Sequence, residues 1–473
     1  MESSSIRLVE YLAFLAKTEL RHDLAQCAAL ALLDNIGCGL YGAHQRWGQI
    51  VNDLVLSERS HGNATLYGSV RSVAPVHAAL ANGTATHGFE LDDIILGTLT
   101  HPGAVVVPAA LAAAEQNGAS GKRLLIGLVA GYEMMARLGR ALGAEHNNRG
   151  FHTTGVAGPV AATVAAGIVM GFEVPQLLSA IGIACSSASG IKAFTQGTGG
   201  MVKRMHAGRA AEAGVLACEL AKRGFTGPTQ GVDGRFGLLE VIGGADAHAE
   251  LLDQDLGSSF AIARVWVKVY PCCGFIHSTA HALEALKKKH ELTPEQVKQV
   301  RVHTNRHAVV HNGEPEPRES MAAQYSIPFC AGVALAKDPR DPLAYAENNL
   351  WDQQVRALAA KTVLAVDSHM ERIFPEHNGA RVEVELYDGR TMDATVIDPH
   401  GTPAAPCTAS DVETKFRLLA GAVKSGDAAE RISEAVRSLL SEATLQKFSG
   451  ELRAGDLEPA RGNMAERRRS SIV

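Results

Sequence analysis

Residues 263–290 read ARVWVKVYPCCGFIHSTAHALEALKKKH, and this stretch decides the fold class because the texture of the chain changes inside it. A β-branched run through Val265, Val267 and Val269 is stopped by Pro271, and from Ile276 apolar residues recur at three- and four-residue steps. The first pattern predicts a strand and the second a helix. A strand feeding a helix at this point opens a second unit.

Upstream the pattern is uniform. From about Ile6 to Gly224 one helical segment follows another, among them LAQCAALALLDNIGCGLYG, LLIGLVAGYEMMARLGRALG and KRMHAGRAAEAGVLACELAKRG, several of them ending in the glycine that favours a helix C-terminus. Forty-seven glycines and an aromatic content of 5% mean that small side chains cover much of this half, so its helices can approach closely. Downstream, Thr293-Pro294-Glu295 opens a short helix and VKQVRVHT alternates Val300 and Val302 with polar neighbours. Asp388-Gly389 lies between two alternating runs, a hairpin signal. Near Asp411 the helical pattern returns in DVETKFRLLAGAV and AERISEAVRSLL. The predicted fold is mainly α: a large all-helical domain (1–264) with an inserted smaller α+β lid domain (265–405), then helices that return to the body (406–473). A loose basic tail is expected from about Arg461.

Composition narrows the function. A chain of 473 residues is too long for one ordinary domain. Lys plus Arg number 45 against 50 Asp plus Glu, a net charge of -5, which argues against a nucleic-acid partner. Apolar residues at 46% and charged residues at 20% describe a folded, globular chain. Eight irregularly spaced cysteines read as reduced thiols. The opening MESSSIRLVEYL lacks a basic segment followed by an apolar one, so a cytoplasmic location is expected. The most apolar window, Ala157 to Phe172, is shorter than the roughly 18 to 20 residues that a membrane span needs and reads as a buried helix.

Three polar clusters could carry chemistry. The densest is His87-Gly88-Phe89-Glu90-Leu91-Asp92-Asp93, with Thr98, Thr100 and His101 close behind. Neighbouring carboxylates raise one another's pKa and an imidazolium lowers it, so the segment suits general acid-base work; solvated loop acids are the plain alternative. His87, Glu90 and His101 are feasible metal ligands by type. However, neither H-E-x-x-H nor a cysteine pair at zinc spacing occurs, and Cys272-Cys273 are adjacent, so no metal is expected. The second cluster is GIKAFTQGTGGMVKRMHAGRAAEAGV, where a glycine-rich loop runs into Lys203, Arg204 and His206 at the start of a helix. Loop amides, a helix N-terminus and cations suit a carboxylate, and the absence of Lys-Ser or Lys-Thr after the glycines argues against a triphosphate. The third is Lys268-Val269-Tyr270-Pro271-Cys272-Cys273 leading to His277, a possible second proton carrier. Phe151-His152 and Gln324-Tyr325-Ser326 offer further hydrogen bonds, while Cys27, Cys38, Cys185 and Cys218 read as core fillers.

As a set and in this order, the acidic segment before His101-Pro102, the Phe151-His152 pair, the Lys203-x-x-His206-x-Gly208 loop-helix, the Lys268-x-Tyr270-Pro271-x-Cys273-x-x-x-His277 stretch and the Tyr325-Ser326 pair resemble the MmgE/PrpD family, from about Asp34 to Phe416. The family includes 2-methylcitrate dehydratase, cis-aconitate decarboxylase and iminodisuccinate epimerase. The resemblance implies a cofactor-independent, metal-free homodimer with its site in a cleft between a helical domain and an α+β lid. It implies catalytic roles for Glu90, His101, Lys203 and His277, and substrate-binding roles for Asp93, His152, Arg204, Tyr270 and Tyr325. The expected reaction is that of a hydro-lyase resembling 2-methylcitrate dehydratase, acting beside a carboxylate of a small hydroxy-polycarboxylate. Epimerisation of a small dicarboxylate and decarboxylation are the alternatives, and a non-catalytic carboxylate-binding protein is the contrasting class. The family's first Asp is Glu90 here, Ile94 stands where a hydroxyl residue usually follows, and Arg204 replaces a proline. These three differences point to a substrate other than methylcitrate.

Overall fold

The computed structural model describes residues 3–98, 100–195 and 200–454. Helices dominate, as the periodicity predicts. The helices Pro75–Thr86, Pro102–Asn117, Gly121–Ala141, Thr153–Met170 and Met201–Lys222 pack on one another as the centre of the body. Thr153–Met170 is its axis: every residue from Thr153 to Val169 is buried, the expected state of a helix that is apolar on all faces. It and His22–Ala43 are long and apolar enough to cross a membrane, but 94% and 78% of their apolar windows are buried inside the protein.

Glycine sets the closest crossing. A Cβ on Gly208 would lie 2.2 Å from the Leu80 carbonyl oxygen, and one on Gly83 would lie 2.8 Å from the Gly208 Cα. Helices Pro75–Thr86 and Met201–Lys222 therefore touch backbone to backbone. This contact brings the first turn of the second helix, with Lys203 and Arg204, beside the chain that leaves the first, with His87 to Glu90.

A four-stranded sheet follows, in the order Thr362–Val366, Val297–Thr304, Ala380–Leu386, Thr391–Val396, the first pair parallel and the others antiparallel. The expected Asp388-Gly389 turn joins the last two strands, with Gly389 at φ 88°. Ala380–Leu386 alternates between buried and half-buried positions, and helix His277–His290 packs on it and on Thr391–Val396. Helices Ala409–Gly421 and Gly426–Ser438 then pack on His22–Ala43. The tail from Arg461 lies outside the described residues.

Two expectations need correction. Residues 263–270 form no strand: Trp266 makes one isolated bridge to Ile94, and the Val267 N–H donates to the Gly401 carbonyl at 3.0 Å. This run spends its backbone hydrogen bonds on two separate loops, so no continuous ladder forms. The N-terminal half is also not wholly helical, since Ala64–Thr65 pairs with Ser72–Val73. Most buried apolar residues of the helices and the sheet form one continuous cluster from Leu8 to Leu452, with a small separate one around Val55, Leu66 and Val73.

Candidate active site

A cavity of about 890 Å³ opens where residues 147–150 and 191–195 of the helical half face residues 273–325. Lys192, Phe194, Cys273, His307 and Tyr325 are among its walls. Behind Tyr325 lies the centre of charge. The Lys203 ammonium donates to Glu90 Oε1 and, at 2.8 Å, to the Tyr325 hydroxyl. From the opposite side Lys268 Nζ donates to Glu90 Oε2 at 3.0 Å. Glu90, Lys203 and Lys268 are all buried. Burial favours the neutral acid at Glu90, but the two lysines override it and hold its pKa well below the carboxylate range. The group is a fixed anion between two cations, with one positive charge left over.

The local backbone explains how Glu90 gets there. It caps the 3-10 turn His87–Phe89 in the left-handed region, φ 56° and ψ 32°, which costs a non-glycine residue on the order of 1–3 kcal/mol. Phe89 anchors the turn, edge-on to Tyr41 at 5.1 Å and stacked on Trp47 at 6.1 Å. Gly88 makes room, because a Cβ there would meet Trp47 Nε1 at 1.9 Å. Gln324 ties the turn to the opposite half by donating to the Phe89 carbonyl at 2.8 Å and the Pro271 carbonyl at 3.0 Å.

Next to this triplet lies a chain of imidazoles. His87 Nδ1 donates to Asp92 Oδ2 at 2.6 Å, and His101 Nδ1 stands 3.1 Å from the same oxygen. The His87 ring lies 4.7 Å from that of His101 and 5.9 Å from that of His152. His152 Nδ1 in turn shares a proton with His206 Nδ1 at 3.0 Å. Phe194, on the cavity wall, packs edge-on against His152. Burial opposes charge on Asp92, but His87 and His101 hold it ionised. Burial pushes His87 and His206 down to about 4 and His152 well below its ordinary value, so these rings are neutral at pH 7. Three ligand atoms of His87, Asp92 and His101 lie within 4.8 Å of one another. The 2.6 Å contact between His87 and Asp92 is, however, a hydrogen bond, shorter than the separation of about 3.3 Å that two ligands of one tetrahedral ion keep.

The structure thus brings together Glu90, His101, His152, Lys203 and Tyr325. It places the other expected residues elsewhere. Asp93 accepts from the Gly103 N–H at 2.8 Å and from the Tyr132 hydroxyl at 2.6 Å, which fixes the start of helix Pro102–Asn117; burial raises its pKa to about 7. Arg204 lies flat on Trp47, its Cζ 3.6 Å from the ring centre. Tyr270 donates to Glu284 under Arg340. His277 is sealed between the Trp266 and Tyr270 rings, and its Nε2 faces the Cys272 carbonyl at 3.3 Å. Of the expected site residues only Tyr325 lines the cavity; Glu90 and Lys203 lie behind it, His152 lies behind Phe194, and Arg204, Tyr270 and His277 are likewise not on the wall. The hydroxyls of Thr98 and Thr100, which follow the acidic segment, bond to each other at 2.7 Å.

Lys268, Gln324 and Asp92 fall inside the polar clusters of the sequence, but the individual part each plays was not anticipated. For Lys268 a signal existed: a lone cation inside the apolar run of residues 265–270 needs a buried partner. Gln324 and Asp92 carried no such mark, since their partners lie on a carbonyl 235 residues away and on a ring whose direction only the turn at Glu90 sets.

The chain is similar to known proteins along most of its length. Residues 6–250 match the family model of the MmgE/PrpD N-terminal domain and residues 270–440 that of the MmgE/PrpD C-terminal domain. A cis-aconitate decarboxylase-like protein of Aspergillus oryzae is 29% identical over 477 residues, covering 94% of this chain and 97% of that protein. The cis-aconitate decarboxylase of Aspergillus terreus is 28% identical over 453 residues, with 90% and 91% covered. The human cis-aconitate decarboxylase is 27% identical over 432 residues, covering 86% of each chain.

Proposed function

The chain belongs to the MmgE/PrpD family, and on that premise we propose that it is a lyase that releases carbon dioxide from a small unsaturated tricarboxylate of the cis-aconitate type. The observation that carries this reading is the state of the carboxylates. Glu90 is held ionised by two lysines, Asp92 by two imidazoles, and Asp93 is closed off against Gly103 and Tyr132. A dehydration that begins by pulling hydrogen from carbon needs a free base. A decarboxylation needs a cation to receive charge and a donor to protonate carbon. The cluster is richer in the second pair, and the relatives that match along nearly the whole chain carry that activity in their names.

In this reading the substrate's carboxylates enter past Lys192 at the cavity wall and come to rest near Lys203 and Tyr325. The bond from the leaving carboxyl to its carbon breaks, and carbon dioxide departs. The electron pair passes through the alkene toward a retained carboxylate stabilised by the excess positive charge of Lys203 and Lys268. A proton from His101, balanced by the Asp92 carboxylate, or from the Tyr325 hydroxyl then returns to carbon. The route uses no metal or coenzyme. Residues 265–405 act as the lid that supplies Lys268, Gln324 and Tyr325.

The second reading is dehydration of a hydroxy-polycarboxylate. The His152–His206 pair favours it, because a neutral imidazole can take a proton from carbon. Sealed-vessel incubation with C4 to C7 di- and tricarboxylates separates the two. The decarboxylase reading predicts one carbon dioxide per cis-aconitate consumed. Formation of an alkene from a hydroxy acid without gas would replace it with the dehydratase reading. Saturable binding with no turnover of any acid would leave a carboxylate-binding protein.

A further inference from the structure

We propose that the turn between the last strand and the returning helix is a binding site for a divalent transition-metal ion of the zinc type, held by His400 Nε2, Cys407 Sγ and the Asp411 carboxylate. These three ligand atoms lie within 4.8 Å of one another, far along the chain from the catalytic cluster. The spacing fits the ion. His400 Nε2 is 3.7 Å from Cys407 Sγ and 3.4 Å from Asp411 Oδ2. Tetrahedral zinc, with bonds of about 2.3 Å to sulfur and about 2.0 Å to nitrogen and oxygen, keeps nitrogen and sulfur about 3.5 Å apart and nitrogen and oxygen about 3.3 Å apart. The His87–Asp92 contact is collapsed onto a proton at 2.6 Å, whereas both contacts of His400 Nε2 stand at coordination distance, with Asp411 Oδ2 also accepting from the Thr408 N–H and hydroxyl.

The ligands are also held in place by the chain around them. Residues 399–405 form a closed turn: the Gly401 N–H donates to the Ala405 carbonyl at 2.8 Å and the Ala405 N–H to the Thr402 carbonyl at 3.0 Å. Gly401, at φ 99°, is pressed so close to the Val267 carbonyl that a Cβ would lie 2.0 Å from it. Asp411 is fixed by its capping box with Thr408, accepting from the Thr408 N–H at 2.8 Å and its hydroxyl at 2.7 Å. Such outer contacts orient ligands before the ion arrives. The His400 and Asp411 side chains are 26% and 35% exposed, which leaves an entry path and room for a water as fourth ligand.

Imidazole with thiolate selects zinc, cobalt or copper over magnesium and calcium. On binding, the Cys407 S–H bond breaks, its proton leaves to solvent and a sulfur–metal bond forms; thiolate and carboxylate together cancel the ion's two charges. Helix Ala409–Gly421 also carries Lys415, which holds the Leu91 carbonyl at 2.6 Å and Asp34 at 2.7 Å. The ion would therefore pin the support of the acidic segment while taking no part in the chemistry.

Titration with cobalt(II) tests the site. The full-length protein should bind one equivalent with a thiolate-to-cobalt charge-transfer band, and zinc but not magnesium should raise its melting temperature. Cys407→Ser should abolish the band and weaken zinc binding by on the order of 100-fold. His400→Gln serves as a second variant should the first fold poorly, and it should weaken zinc binding similarly. The proposal is overturned if the wild-type protein binds no cobalt, or if the band survives in Cys407→Ser, which would place the thiolate elsewhere.

Discussion

A connected group of buried histidines in the helical half and a single buried histidine in the other differ in connection rather than in burial. His87, His101, His152 and His206 in the helical half contact one another ring to ring and reach the cavity through Phe194. His277 in the other half is equally buried, and burial with nearby Lys268 drives its pKa well down, but two aromatic rings enclose it. A titratable group in a low-dielectric interior is costly wherever it lies. It can move protons for a substrate only where it connects to one. The contribution of the second half is instead Lys268 and Tyr325, which meet the Glu90–Lys203 pair.

That comparison can be broken by mutation. Lys203→Met should lower turnover about 10³-fold with the fold retained, because it removes a cation aimed at the developing charge. A loss of less than tenfold in steady-state kinetics would detach the chemistry from this cluster. Stability against pH gives the next effect. His87 titrates at about 4 folded against 6.5 in the open chain, so its contribution is present above pH 6.5 and is lost, by about 3 kcal/mol, as pH falls toward 4. Asp93 has the opposite sign: its pKa is raised from 3.8 to about 7, so its contribution is present below pH 3.8 and is lost as pH rises toward 7. Denaturant melts should show Asp93→Asn keeping only the acid loss and His87→Gln keeping only the loss toward neutrality. Curves identical to wild type would contradict both assignments.

Smaller effects sharpen the contrast between the histidines. His101→Asn should cost about 10²-fold in kcat. His277→Asn should cost about 1–3 kcal/mol in unfolding free energy, from lost ring packing, yet leave kcat within about threefold for the folded fraction. If the two variants exchange these phenotypes, the enclosed histidine is the proton carrier and the connected ones are structural.

The sequence made much of this legible. Helical periodicity and alanine-rich faces marked the body, and Asp388-Gly389 marked the hairpin. The residue types at Glu90, His101 and Lys203 marked candidate chemistry, because charge in an otherwise apolar chain demands a partner, and the family resemblance added His152 and Tyr325. It did not reveal that residues 263–270 would spend their hydrogen bonds on two loops, since β propensity says nothing of which backbone is available nearby. Nor did it separate His277 from the other histidines. The enclosing rings, Trp266 and Tyr270, lie 11 and 7 residues before it, and only the turn at Pro271 folds them back. Asp93 shows the same limit. Its neighbour Asp92 points into the imidazole chain while it points to Gly103 and Tyr132, and adjacency in sequence carries no such distinction.

The most direct measurement is turnover of cis-aconitate in heavy water, following released carbon dioxide and the deuterium content of the product together. Protonation of carbon after loss of carbon dioxide predicts one deuterium per molecule of gas, on a single face of the product carbon. Deuterium entering recovered substrate without gas, or gas with no deuterium fixed in the product, would contradict it.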